Sequence, residues 1–338
     1  MRIAIAGLGH VGAAVVRLLC AHADRLAARS GQEIILVAVS ARDRGKKRDC
    51  DLAGVDWVDD ARALAARGDI DVVVELMGGA DGVAYELAQA VLASGKHLVT
   101  GNKAMMAAHG VELAGLAEKS GVALAMEAAV CGGVPVIKLL REGMAANRVS
   151  GLRGILNGTC NYILTRMGED GMDFDAALAE AQGRGFAEAN PAADIDGYDS
   201  ANKLALLSAL AFSTAPDMGS IFIEGIRHIT QADLNDAAAR GGRIKLLGIA
   251  SRLGDGVVVQ RVQPVFVPLD ETIARVGGHA NILQISGDFA GDILIQGIGA
   301  GGDVTASAIV ADLVDVARGQ RGCAFGVPAA SLISPAGV

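Results

Sequence analysis

Along the first 130 residues, short apolar runs alternate with amphipathic stretches, and their spacing predicts strands and helices in turn. Strands are expected at 2–6, 34–39, 71–76, 97–100 and 123–127, with helices at 13–28, 59–67, 83–94 and 104–120 between them. Strands so continuously apolar are those buried on both faces. Regular alternation with helices predicts an N-terminal, Rossmann-like doubly wound parallel sheet in an α/β protein. The pattern changes after residue 130. Helices are expected at 134–146, from 161, and at 174–183 and 199–212, and a strand at 149–156. Strands at 244–252, 257–267 and 281–297 have no regular helices between them, which predicts a C-terminal α+β domain with an open, mixed and largely antiparallel sheet. A last helix, 305–318, follows a glycine cluster.

Composition narrows the class. At 338 residues the chain exceeds what one core usually supports, so two or three packed units are expected. Apolar residues at 51% and charged residues at 20% supply a core and exclude general disorder. A net charge of -8, a pI near 5.3 and only 3% aromatics argue against a nucleic-acid partner. Mean hydropathy is high, +0.39, but no uncharged apolar run reaches the roughly 18 residues of a membrane span. The chain enters its first strand directly, without the pattern of a signal peptide. Cys20, Cys50, Cys131, Cys160 and Cys323 are odd in number and form no CxxC pair, so a reduced, cytoplasmic setting is expected.

The first turn carries candidate chemistry. Gly7-Leu8-Gly9-His10-Val11-Gly12 places GxGxxG between a strand and a helix, where backbone N–H groups meet a dinucleotide pyrophosphate. The second strand ends at Val39 and is followed by Ser40 and Ala41, then by the basic run Arg42, Arg44, Lys46, Lys47 and Arg48. No carboxylate stands where NAD ribose would be read, although Asp43 is near, and a guanidinium there suits a 2′-phosphate. NADP is therefore favoured, with NAD possible; a plain solvated basic loop is the other reading.

Residues 185–203 cluster Glu188, Asp194, Asp196 and Asp199 with Lys203, and Asp199 and Lys203 share a helix face at i, i+4. Taken alone the pair reads as a surface ion pair. Among Gly, Pro and Asp turns it also suits a small amino-alcohol substrate, with carboxylates for the ammonium and a lysine to move a proton.

In this segment and six others the chain resembles the homoserine dehydrogenases, from Gly7 to about Ala324. The other motifs are the glycine loop, Glu75-Leu76-Met77-Gly78-Gly79, Gly95 to Lys103, Glu127 to Pro135, Gly154 to Leu164, and Gly299 to Ala306. The resemblance implies reversible, nicotinamide-dependent interconversion of L-homoserine and L-aspartate 4-semialdehyde, in the pathway to threonine and methionine. It implies that Lys203 exchanges the hydroxyl proton and that Lys103 lies beside nicotinamide and substrate. Glu188 and Asp199 would hold the substrate, with Gly185 and Asp194 in the same segment, and Gly79, Gly299 and Gly301 would touch the cofactor. A monovalent cation, Na+ or K+, is implied at the Glu127 carboxylate and the carbonyls of Val130, Gly132 and Val134. The His residues show no spacing for a transition metal. The resemblance also implies a homodimer and a final helix returning to the first domain, dividing the chain into 1–130 with 303–338 and 131–302.

Two departures stand out: Asn190 where the family commonly has Asp, and Gly101 where Ala is usual. The chain ends where relatives often begin a C-terminal ACT regulatory module, so the short form, without feedback through such a module, is expected. Another NADP-dependent reductase of a small aldehyde or amino acid is one alternative. A non-catalytic dinucleotide sensor is the other; retention of both lysines with Glu188 and Asp199 argues against it.

Overall fold

The computed structural model describes residues 1–253 and 257–334; the last four residues of the expected 303–338 segment lie outside it. Contacts divide the chain into two units, Met1–Glu142 with Ala300–Ile333, and one built on Gly143–Gly299. Residues 131–142 and 300–302, expected in the second domain, therefore pack with the first.

The first unit holds a six-stranded, all-parallel sheet: β1 (Arg2–Ala6), β2 (Ile35–Ser40), β3 (Asp56–Trp57), β4 (Val72–Glu75), β5 (His97–Thr100) and β6 (Leu124–Ala125). Their order is β3-β2-β1-β4-β5-β6, the doubly wound order that reverses direction beside β1. Helices α1 (His10–Ala21), α2 (Ala23–Ser30), α3 (Val83–Ala93) and α4 (Lys103–Ser120) connect the strands. The one helix expected at 13–28 is two, broken at His22. The expected helix at 59–67 is a 3₁₀ turn, Ala61–Ala66, capped by Asp60, whose carboxylate accepts from the Arg62 backbone N–H. The fifth expected strand, 123–127, is cut to two residues because Glu127 turns away into a 3₁₀ segment. The 134–146 helix is only α5 (Val136–Lys138) followed by a π-turn. Ile3, Ile5, Val72, Val74 and Val99 form the core with α1 and with the last helix, α11 (Gly302–Ala317).

The second unit carries β7 (Val149–Ile155), β8 (Ile221–Ile223), β9 (Gly242–Arg252), β10 (Val258–Pro268), β11 (Ala280–Gly287) and β12 (Gly291–Ile298). Their order is β12-β11-β7-β9-β10-β8, antiparallel except for β8 against β10. The apolar run 281–297 is a hairpin, β11 and β12, turning at 288–290. Its helices are α6 (Gly158–Asp170), α7 (Phe174–Gly183), α8 (Ala192–Ile195), α9 (Tyr198–Phe212) and α10 (Gln231–Ala239). The short elements β3, β8 and α8 escape periodicity because two to four residues carry no readable period.

Candidate functional site

The glycine loop of the first unit is shaped by backbone proximity. Gly7 has φ +103°, and a Cβ there would lie 2.5 Å from the Leu76 carbonyl carbon and oxygen. A Cβ on Gly12 would lie 2.2 Å from the Gly7 oxygen, so α1 can sit on the loop only without a side chain. A Cβ on Gly9 would meet nothing within 4 Å; that face is open. Gly9 N-caps α1 with no side-chain hydrogen bond, and no acid stands in the first turn, an arrangement that favours an anion there. Together these features make a cradle that fits a pyrophosphate.

A cleft of about 1020 Å³ opens from this loop, lined by Gly7, Leu8, Gly9, Ser40, Arg42, Lys46, Arg48, Met77 and Gly78, among others. His10 and Gly302 line an adjoining hollow with Leu8 and Gly9, and Val11 is half-buried in the first turn of α1. Ser40 is buried and its carbonyl accepts from the Gly7 N–H at 2.8 Å, while Arg42 is exposed. Asp43 turns one carboxylate oxygen inward to accept from the N–H groups of Gly45 and Lys46, at 2.9 and 3.1 Å.

On the far side of the switch point, buried Glu75 bridges two turns. It accepts from the Met77 N–H at 2.7 Å and from the Thr100 hydroxyl at 2.6 Å. Asn102 caps α4 by accepting from the Met105 N–H and donates to the Gly79 carbonyl at 2.7 Å. This fixes the turn that begins α4 at Lys103, which is half-buried. Gly101 does not loosen it. Its N–H bonds the Glu75 carbonyl, and an added Cβ would meet its nearest neighbour, a Leu76 methyl, at 3.4 Å. Neither Glu75 nor Asn102 had an expected role; a carboxylate at the end of a buried strand was the available signal.

Glu127 is 2% exposed. Its carboxylate accepts from the N–H groups of Ile137 and Lys138, and its own N–H donates to Asp312 of α11. Burial, then the Asp312 carboxylate, pushes its pKa up to about 7. Lys138 pairs with Asp312 at 3.2 Å and Asp315 at 2.5 Å. Nearby, Cys131 and Gly132 adopt φ +55° and +44°, and the Val134 carbonyl accepts from the Val136 N–H at 2.8 Å. The Val130 N–H bonds back to the Glu127 carbonyl.

The second unit assembles the segment 194–203 against the start of α6. Gly197, at φ +90°, starts α9, and Asp199 in its first turn faces Lys203 one turn on. The Lys203 ammonium donates to Asp199 and to the Leu156 carbonyl, both at 2.7 Å, and is only 8% exposed. Asn157 caps α6 by accepting from the Cys160 N–H, and its amide donates to Asp199 and Asp194, both at 2.8 Å. Gly158 must follow, because the His279 carbonyl oxygen lies 2.4 Å from where its Cβ would be. Asn281 also donates to the Leu156 carbonyl. The surface-pair reading of Asp199 and Lys203 is therefore wrong: both are buried.

Other expected residues lie apart from this cluster. Gly185 and Glu188 are exposed, and the Glu188 backbone carbonyl accepts from Gln182. Asp196, in the same segment, pairs with Arg227, which holds its carboxyl below the usual range. Asn190 keeps its turn by accepting from the Ala192 N–H at 3.2 Å, so the amide serves where a carboxylate would. The glycine run near 300 is split. Gly299 belongs to the second unit, where a Cβ would strike Asn281 at 2.3 Å, and Gly301 caps α11 in the first.

A buried lysine outside every motif also emerges. Lys245 of β9 donates to the Asn161 side-chain oxygen at 3.0 Å and the Val276 carbonyl at 2.7 Å. Burial, then Arg243, lowers its pKa to about 8. Alternation on β9 could have flagged it as inward-facing.

The family models for the homoserine dehydrogenase NAD-binding domain and for homoserine dehydrogenase match residues 7–127 and 135–314. The homoserine dehydrogenase of Pseudomonas aeruginosa is 45% identical over 318 residues, covering 94% of this chain and 72% of that protein. That of Bacillus subtilis is 36% identical, covering 99% of this chain and 76% of its own length. The solved homoserine dehydrogenase of Thiobacillus denitrificans superposes with a TM-score of 0.95 at 40% identity, covering all of this chain and 79% of that one. A hyperthermophilic archaeal homoserine dehydrogenase solved with NADPH superposes at 0.80 with 25% identity, covering 95% and 99%. Among the described residues no helix is long and apolar enough to cross a membrane. With both domain models matched and relatives alike over nearly its whole length, the chain belongs to the homoserine dehydrogenase family, nicotinamide-dependent oxidoreductases that interconvert L-homoserine and L-aspartate 4-semialdehyde.

Proposed function

We propose that Lys203 exchanges the proton of the homoserine hydroxyl, held in place by Asp199 and the Leu156 carbonyl. The observation that carries this assignment is the buried ammonium bonded to both groups at 2.7 Å. Oxidation at the carbinol carbon makes its oxygen shed a proton, and a lysine nitrogen of fixed orientation can take it; in the reverse direction the ammonium returns it to the developing alkoxide. The nicotinamide, when bound, exchanges the hydride with that carbon. Asn157, bonded to both Asp194 and Asp199, keeps the two carboxylates in one arrangement. Asp194, Glu188 and the Gly185 turn bind the substrate's amino-acid end, and Lys103, fixed by the Asn102 cap, supplies a second cation for the reaction.

NADP is the preferred dinucleotide. The glycine loop, with Leu8, His10 and Val11, and the turn at Gly79 hold it, and Gly299 and Gly301 are assigned backbone contacts to it. Ser40 and Arg42 meet the adenosine ribose, where the arginine side chain suits a 2′-phosphate, and Asp43 spends one carboxylate oxygen on its own loop. The archaeal relative was solved with NADPH. A Na+ or K+ ion binds at Glu127 with the carbonyls of Val130, Gly132 and Val134. The donors are all oxygen, as a hard ion prefers, and a cation would offset the charge that burial resists on Glu127. The enzyme works in the cytoplasm as a homodimer, with the unit built on Gly143–Gly299 serving substrate binding and dimerisation.

The test compares L-homoserine oxidation with NADP⁺ and NAD⁺ in wild type and Lys203→Ala. A kcat lowered by about 10²–10⁴ with unchanged NADP⁺ affinity is expected for loss of an acid/base group. Near-normal turnover in the variant overturns the assignment. No homoserine turnover by the wild type, despite dinucleotide binding, overturns the substrate reading. For the ion, K⁺ or Na⁺ should raise the melting temperature over tetramethylammonium, and Glu127→Gln should abolish the difference.

A further inference from the structure

The chain has one tryptophan, and the fold sets it beside the basic loop of the cofactor cleft. Trp57 lies on edge strand β3, paired with Val39 of β2, one residue before Ser40. The Arg48 guanidinium lies over its ring at 5.2 Å and that of Arg44 at 5.9 Å, both within cation–π range. Arg48 is fastened at the same time to three carbonyls. It donates to Leu8 in the glycine loop at 2.9 Å, to Lys46 at 2.8 Å and to Asp43 at 2.6 Å. One face of the indole thus meets the residue that ties the basic loop to the glycine loop.

We propose that Trp57 is a specificity-determining residue for the dinucleotide: by stacking on Arg48 and Arg44 it holds the basic loop ready for a ribose 2′-phosphate. This rests on the reading of the cleft as an NADP site. Ser40, Arg42, Lys46 and Arg48 line one side of that cleft. Asp59 and Asp60 line it too, but Asp60 is paired with Arg62 at 2.9 Å and its carboxyl is held low. A loop of five basic residues repels itself and would otherwise sample many arrangements. Bringing it to one arrangement costs conformational entropy on binding, which a prior stack on a rigid ring reduces. The gain falls on the nucleotide with the extra phosphate, because the pyrophosphate is held by the glycine loop whether or not the basic loop is ordered. Trp57 touches neither the substrate nor the reacting carbon; it acts through the arginines.

Calorimetric affinities of full-length wild type, Trp57→Leu and Trp57→Phe for NADP⁺ and NAD⁺ test this. Trp57→Leu should weaken NADP⁺ about 5–10-fold, as expected for losing stacked cations, and NAD⁺ by less than about 2-fold. Trp57→Phe, which keeps an aromatic face, should recover part of the NADP⁺ affinity. Equal weakening of both nucleotides in Trp57→Leu would mean a merely structural tryptophan and overturn the proposal, as would unchanged NADP⁺ affinity. The underlying reading fails separately, in the wild type, if NAD⁺ binds there as tightly as NADP⁺.

Discussion

Two buried lysines in the second unit make opposite use of the same side chain. Lys203 faces a carboxylate, Asp199, as well as a backbone carbonyl. Lys245 donates to two neutral oxygens, those of Asn161 and Val276, and its pKa drops to about 8. Both reach α6, one beside its cap and one on its second turn. The first belongs to a polar network that includes Asn157, Asp194 and Asn281. The second is a brace, joining Asn161 to the segment 276–280 through the Val276 carbonyl, which Asn161 also bonds. Burial alone therefore does not separate the two lysines; the carboxylate partner and its further hydrogen bonds do, and on them rests the proposed proton-transfer role of Lys203.

The sharpest way to break the contrast is to give Lys203 the surroundings of Lys245. Asp199→Ala leaves the ammonium without its carboxylate, and kcat for homoserine should fall about 100-fold, with NADP⁺ affinity kept. The acidic limb of the variant's pH–rate profile for homoserine oxidation should shift to lower pH, because a lysine without its counter-charge loses its proton more readily and reaches its proton-accepting form sooner. A profile unmoved from wild type would separate Asp199 from the proton-transfer step.

A second test uses the brace itself. The folded pKa of Lys245 is below its unfolded value, so between about 8 and the ordinary lysine pKa the unfolded chain binds more protons. Stability contributed by this group therefore rises with pH through that window, by at most about 3 kcal/mol. Denaturant unfolding from pH 7 to 10.5 of wild type and Lys245→Met should show the rise, relative to the variant, only in the wild type. Parallel curves would contradict the buried, poorly compensated cation.

Asn161→Ala removes the acceptor for Lys245 and two donors to carbonyls, and should cost about 2 kcal/mol by unfolding. Its kcat should stay within about 3-fold of wild type if the brace is structural, a far smaller change than for Asp199→Ala. The smallest effect concerns the third lysine, Lys103, whose turn is already held by the Asn102 cap. Gly101→Ala fits at ordinary contact distance and should add about 0.4–1 kcal/mol by restricting the unfolded chain. A loss of stability would show that the turn is tighter than its backbone suggests.

Much of this site was legible beforehand. Gly7, Gly9 and Gly12 are read from sequence because their spacing is local; at Gly7 and Gly12 a close backbone approach admits no substitute, and Gly9 leaves the loop's face open. Lys203 and Asp199 share one helix turn, so their pairing needs only the period of the α-helix; their burial did not follow, since flanking turns look like surface. Asn190 and Gly101 depart from the family's usual residues, and their turns are held all the same, one by the Ala192 N–H on Asn190 and one by the Gly101 N–H on the Glu75 carbonyl. Glu75 with Thr100, and Glu127 with Asp312, join residues 25 and 185 positions apart. No local period connects them.

By itself the sequence determined the alternation of strands and helices, the glycine loop and the family, because each rests on patterns a few residues long repeated in order. Only the tertiary structure decided which charges are buried and with whom. Lys245 was bonded to neutral oxygens and Glu127 was pushed toward neutrality through contacts between distant segments, and Trp57 came to lie under two arginines by pairing with β2. Desolvation depends on everything packed around a group, and that sum is written nowhere along the chain.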